Sequence, residues 1–155
     1  MEQTENRSAF DLPPVWGAAA WALIYYWSGL DPMITAPAWL ADIGSGLAAA
    51  GVLLAVWAVW QFAGLSTPVE ANKTARTLIT AGPYRYARHP IYLGMLVATF
   101  GFSLATGELT TLAIAAVFGW VLQKRFVEPE ERMLEAEFGD RYRDWAATVK
   151  RAMVV

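Results

Sequence analysis

The feature that most constrains this chain is the spacing of its charges. No Asp, Glu, Lys or Arg lies between Asp11 and Asp31, and the same holds from Ile43 to Val69, Pro90 to Gly107 and Leu109 to Gln123. A bilayer core of about 30 Å takes roughly 20 apolar residues as helix. The first three stretches meet that length. The fourth reaches it if Lys124 and Arg125 snorkel, so that Phe126 and Val127 extend the apolar run. The spacing predicts an all-α, integral-membrane fold with four transmembrane helices near 14–30, 40–64, 90–106 and 109–127. At 56% apolar residues the 155-residue chain makes one domain. Its parts are two helices (1–64), a cytoplasmic loop (65–89), a helical hairpin (90–127) and a cytoplasmic amphipathic helical tail (128–155).

The basic residues give the orientation. All 12 Lys and Arg fall in three places: Arg7, the segment Lys73–Arg88 and the segment Lys124–Arg151. Four crossings put these three on one face, and the connections "DPMITAPAW" and "TGE" carry none. By the positive-inside rule both termini and the long loop are cytoplasmic. The leader "MEQTENRSAFDLPP" is acidic, so the first apolar segment is not expected to be a cleaved signal peptide. With no cysteine and one histidine, no metal site is expected. A net charge of −2 without a basic stripe gives no sign of nucleic-acid binding. Trp16, Trp39, Trp60 and Trp120 fall where an aromatic belt would lie. Gly44/Ala48, Gly51/Ala55 and Gly94/Ala98/Gly101 recur at helical spacing and suit close helix packing, although Gly94 and Gly101 also follow a polar motif.

That motif is "GPYRYARHPIYLG", Gly82–Gly94, which holds the only histidine. Pro90 suits the first position of a helix, and the residue before a proline is pushed out of helical conformation. His89 therefore stands at a helix mouth whose unpaired amides, with Arg85 and Arg88, favour an anionic group. An interfacial anchor of Tyr and Arg would have the same composition.

The tail "VEPEERMLEAEFGDRYRDWAATVKRAM" repeats Leu134, Phe138, Tyr142, Trp145 and Val149 at spacings of three and four. Glu128/Arg132 and Glu137/Arg141 are i,i+4 pairs on a solvated helix face, and the helix can run on through Gly139. In that case Glu131 falls within the apolar stripe. If Gly139 ends the helix, Glu130 and Glu131 flank Leu134 and Phe138 instead. Either way a carboxylate faces the protein and needs a partner.

"TARTLITAGPYRYARHPIYLG", followed one helical hairpin later by "EPEERMLEAEFGDRYRDWAATVKR", resembles the isoprenylcysteine carboxyl methyltransferase and phospholipid methyltransferase superfamily. The resemblance spans about Thr74 to Arg151; the first two helices match only as generic membrane segments. It implies an integral-membrane enzyme that uses S-adenosylmethionine to methylate a lipophilic acceptor. It also implies a cofactor pocket formed by Arg88, His89, Pro90, Tyr92 and Gly94 with Glu130 and Glu131, supported by Tyr84 and Arg85. His89, Arg88 and Glu131 become the catalytic candidates. A carboxylate pair suits a ribose diol, and an aromatic face suits a sulfonium. No G-x-G-x-x-G motif follows a strand, so a helical pocket is expected. A nicotinamide-dependent sterol-type reductase and a non-enzymatic scaffold are the alternatives, and binding of adenosylhomocysteine rather than NADPH would separate them. Prenylated cysteine, an aminophospholipid, a small thiol and a sterol- or quinone-like lipid all fit as acceptor.

Overall fold

The computed structural model describes residues 11–30, 33–61 and 78–149. Its helices are α1 (Pro13–Ser28), α2 (Ala38–Trp60), α3 (Pro90–Ala105), α4 (Leu112–Leu122), α5 (Glu128–Phe138) and α6 (Asp140–Thr148). A 3-10 turn, Gly82–Arg85, precedes α3, and another, Leu109–Thr111, leads into α4. A π-helical turn, Gln123–Val127, joins α4 to α5. Among the described residues the only β-type pairing is the isolated bridge Thr35–Glu108.

Helical structure stands at each of the four charge-free stretches, with α2 the most extended. By length and composition α2, with 23 residues, is the one described helix able to cross a membrane unaided. The helices α1 and α3 have 16 residues each. At 1.5 Å per residue each is about 24 Å long, so flanking residues would have to complete a crossing. The fourth stretch is composite: a 3-10 turn, α4 and the π turn run on directly into α5. Residues 62–64 of the expected second span lie outside the described residues.

The centre of the fold is α3, and small residues explain why. Its Gly94, Ala98 and Gly101 lie against Gly44, Ala48, Gly51 and Ala55 of α2. A Cβ on Gly51 would stand 2.3 Å from the Ala98 backbone nitrogen, and one on Gly101 would stand 2.3 Å from that of Ala48. The two backbones therefore touch, which only residues lacking bulk allow. The early part of α2 meets the late part of α3, so the pair is antiparallel. On the other side of α3 lie α1 and α4. Trp21 donates to Thr99 Oγ1 (3.0 Å) and stacks on Phe102 with centroids 4.7 Å apart. Ala20, Tyr92, Phe118, Leu122, Phe126 and Val127 form the core there.

Each end of the bundle is tied by a buried carboxylate. At one end Glu108 accepts from the Met33 amide (2.9 Å), the Thr110 amide (3.1 Å) and the Thr110 hydroxyl (2.7 Å). At the other, Arg125 grips Asp11 through both carboxylate oxygens at 2.6 and 2.8 Å, and Trp16 donates to the same Asp11. The start of α1 and the end of α4 thus share one end, where α2 finishes and α3 begins. Trp16, Trp39, Trp60 and Trp120 are all exposed.

The tail departs from a continuous helix. Gly139 adopts φ 52° and ψ −125°, a backbone conformation suited to glycine, and it separates α5 from α6. Glu137 and Arg141 consequently belong to different helices and are not an i,i+4 pair. Lys124 takes Glu128 at 2.6 Å, and Arg132 acts on the same carboxylate through its charge. The apolar stripe still closes: Leu134, Phe138, Tyr142, Trp145 and Ala146 cluster with Leu78.

Candidate functional site

His89 is the residue before α3, with φ −129° and ψ 64°, and Pro90 opens the helix. Proline disfavours the helical region for the residue before it, so His89 stands outside the helix that Pro90 opens. The π turn at Gln123–Val127 adds a residue to one helical turn, which resets the direction in which α5 presents its side chains. The two elements bring the carboxylate pair to the mouth of α3.

The pair has divided partners. His89 Nε2 lies 3.3 Å from Glu131 Oε1, and Arg88 Nη1 lies 3.7 Å from the same oxygen. The Tyr92 hydroxyl donates to Glu130 Oε2 at 2.7 Å. Tyr92 also stacks on His89 and tilts against Phe126, with centroids 5.9 and 6.4 Å away. Adjacent glutamates are thus held by different residues of one motif. Burial pushes the Glu130 carboxyl above its ordinary range and nearby Glu131 adds to this, while His89 and the Tyr92 hydroxyl pull the other way. Burial, helped by the charge of Glu130, likewise raises the buried Tyr84 phenol.

Arg88 has a further duty that its sequence context does not signal. Its Nε donates to the Val149 carbonyl at 3.2 Å, and Nη2 donates to the Ala146 carbonyl. The guanidinium caps the C-terminal end of α6, where a cation is favoured, and leaves its third nitrogen toward Glu131.

Arg88, His89, Tyr92, Glu130 and Glu131 therefore converge, with Pro90 fully buried and Tyr84 close enough to feel Glu130. Two other expected residues stand apart. Arg85 is exposed at the end of its 3-10 turn. Gly94 faces α2, where a Cβ would stand 2.7 Å from the Ala55 nitrogen. Two residues after Tyr92, it lies about 200° around the helix, on the opposite side. Its position is accounted for by packing. Trp145 was legible only as part of an apolar stripe, yet it packs against both the Ile79–Tyr84 cluster and the Leu78–Tyr142 cluster. Among the described residues no cluster of His, Asp and Glu could hold a metal ion.

An all-helical bundle with a His–carboxylate pair at one end is the class that fold and site define together. The phospholipid methyltransferase family model matches residues 40–141, and this chain belongs to that family. It is 41% identical over 66 residues to the methanethiol S-methyltransferase of Mycobacterium tuberculosis, covering 43% of this chain and 26% of that protein. Against the protein-S-isoprenylcysteine O-methyltransferase of Tribolium castaneum it is 26% identical over 127 residues, or 81% of this chain and 44% of the relative. The fold resembles the structure of a eukaryotic intramembrane Ras methyltransferase (isoprenylcysteine carboxyl methyltransferase), with TM-score 0.67 and 25% identity. That likeness covers 90% of this chain and 50% of the other. The chain spans less than half the length of these two curated relatives.

Proposed function

We propose that this protein is a membrane methyltransferase that uses S-adenosylmethionine to methylate a lipophilic or amphiphilic acceptor at the cytoplasmic face. The observation that carries the reading is the convergence of His89 and Tyr92 with Glu131 and Glu130, across two helices, at one end of the bundle. In this reading the chain is one domain with four spans, both termini and the site on the cytoplasmic side, and the Glu108 end opposite. The shared end of Asp11 and Arg125 supports that parity.

The residues fit the donor by their chemistry. Glu130 and Glu131 offer acceptors for a diol, Arg88 offers a cation for a carboxylate, and Tyr84 and Tyr92 offer rings for a sulfonium. The desolvation of Glu130 also fits, because a withdrawn acid gains most from a polar or cationic ligand. When bound, S-adenosylmethionine supplies an activated, electrophilic methyl group. The protein's own work is then to orient and to exclude water. Arg88 and His89 hold Glu131 in place, Tyr92 holds Glu130, and the buried Phe126 and Val127 form the apolar floor. A thiolate or carboxylate acceptor needs no base. For an ammonium acceptor His89 or the carboxylate beside it would take the proton. The relatives named above act on a small thiol and on isoprenylcysteine, which keeps a small thiol and a prenylated carboxylate both open as acceptors.

The test is calorimetric titration of the detergent-purified chain with adenosylhomocysteine. Loss of a hydrogen bond to a charged group costs about 1.5–3 kcal/mol, so Glu131→Gln should bind roughly ten- to hundredfold more weakly. Glu135→Gln, in an exposed pair with Arg143, should match the parent. Equal affinity in parent, Glu131→Gln and Glu135→Gln would sink the assignment. Lipid extracts of cells with and without the protein, compared by mass for a gain of one methyl, would name the acceptor.

A further inference from the structure

The site is largely withdrawn from water. His89 is 6% exposed and Tyr84 8%, while Glu130, Glu131 and Arg88 are half-buried beside them. A donor as large as a nucleoside-bearing sulfonium has to lie against both acids at once, and that takes more room than their partial exposure offers unless some element moves. The helices α1 to α4 are locked by backbone packing, by the Trp21–Thr99 and Trp27–Thr110 bonds and by the two buried carboxylates.

The weakest hold is on α6. It has nine residues, and Arg141, Arg143, Asp144, Ala147 and Thr148 are exposed. Its only covalent approach among the described residues is through Gly139, where a Cβ would meet nothing within 4 Å, so the hinge is not braced. It docks through Tyr142, Ala146 and Val149, and through the two Arg88 bonds to the carbonyls of Ala146 and Val149. The docking is also imperfect. Among the described residues the buried Trp145 indole N–H has no hydrogen-bond partner, which makes the docked state less favourable than its apolar contacts alone would suggest.

We propose that α6 is a gate over the donor pocket, hinged at Gly139 and latched by Arg88, and that it swings away to admit and release the hydrophilic donor. The inference rests on the donor-site reading above. Arg88 is the coupling element because one guanidinium spans both the α6 carbonyls and the Glu131 carboxylate. A ligand that engages Glu131 alters the latch, and loss of the latch alters access to Glu131. Arg88 is in this sense a positioning residue as well as part of the pocket.

Hydrogen exchange read by mass spectrometry on the full chain in detergent tests this, with adenosylhomocysteine as probe and α3 as internal reference. Amides of 140–149 should exchange about tenfold or more faster than those of α3, and saturating ligand should slow them by about tenfold while leaving α3 unchanged. On the unmodified chain, the observed association rate should level off with ligand concentration at the α6 opening rate. Arg88→Lys keeps the charge but loses the fork, and should speed both α6 exchange and ligand release. Two results overturn the gate: ligand-free α6 amides as slow as those of α3, or α6 exchange indifferent to ligand that calorimetry shows to be bound. A parent chain that does not bind adenosylhomocysteine overturns the donor-site reading itself. Exchange of ligand-free α6 then reports separately whether the helix opens.

Discussion

Tyr92→Phe separates the polar work of the site from its packing. The substitution removes one oxygen and keeps the ring that stacks on His89 and tilts on Phe126, so α3 should fold and pack as before. What is lost is the 2.7 Å hydrogen bond to Glu130 Oε2. A bond to a charged group contributes about 1.5–3 kcal/mol, and Glu130 is half-buried, so solvent replaces it only in part. The carboxyl should move further above its ordinary range, since burial already raises it and Tyr92 is one of the groups pulling it down. The sign of the pH effect follows. A raised folded-state value means the native chain holds more protons than the unfolded one. Stability then falls as pH rises through the window between the ordinary carboxyl value and the raised one. Tyr92→Phe should widen that window upward, so its thermal midpoint should trail the parent at neutral pH and approach it on acidification. Adenosylhomocysteine affinity at neutral pH should fall by less than the stability does, because the bond is already made without ligand and its loss reaches binding only through a less firmly held Glu130 carboxylate. Melting curves across pH in detergent, with calorimetry at neutral pH, make the comparison. Superimposable stability profiles together with unchanged affinity would refute the role given to the Tyr92–Glu130 pair.

Three other outcomes are expected. Gly51→Val places a side chain where a Cβ would stand 2.3 Å from the Ala98 nitrogen, so α2 and α3 must separate. Thermal denaturation should show a loss of about 1–3 kcal/mol or more, while Gly46→Ala, with nothing within 4 Å, should be neutral or mildly stabilising. Glu108 is held below its ordinary range first by the Thr110 hydroxyl and then by the backbone amides of Thr110, Ile34 and Met33. Its contribution is present above the ordinary carboxyl value and fades as pH falls, so Glu108→Gln should lower the neutral-pH midpoint and flatten the acid side of the profile. Cysteines at Thr35 and Thr106 should label from outside with an impermeant reagent and one at Asn72 should not, the chain having no cysteine of its own. Labelling at Asn72 from outside would overturn the proposed topology.

The helices were legible because their causes are local. A run without charges, a proline after His89 and small residues three, four or seven apart act through neighbours in sequence, and helical structure stands at each stretch they marked. The glycine stripe of α2 was readable as packing, and its partner on α3 proved to be Gly94, Ala98 and Gly101. The family resemblance carried by the two motifs also made it possible to name Arg88, His89, Tyr92, Glu130 and Glu131 before any of them had a position. Spacing could not say which glutamate meets which partner. That depends on the π turn at Gln123–Val127, a one-residue change of helical phase that carries the chain from α4 directly into α5. Nor could it say that Gly139 breaks the tail: glycine permits a positive φ without requiring it, and docking of Tyr142 and Ala146 near Leu78 selects it. Arg88 shows the limit best. Its neighbours in sequence point to the pocket, but two of its nitrogens go to carbonyls about sixty residues away, and only the folded tail brings those carbonyls within reach.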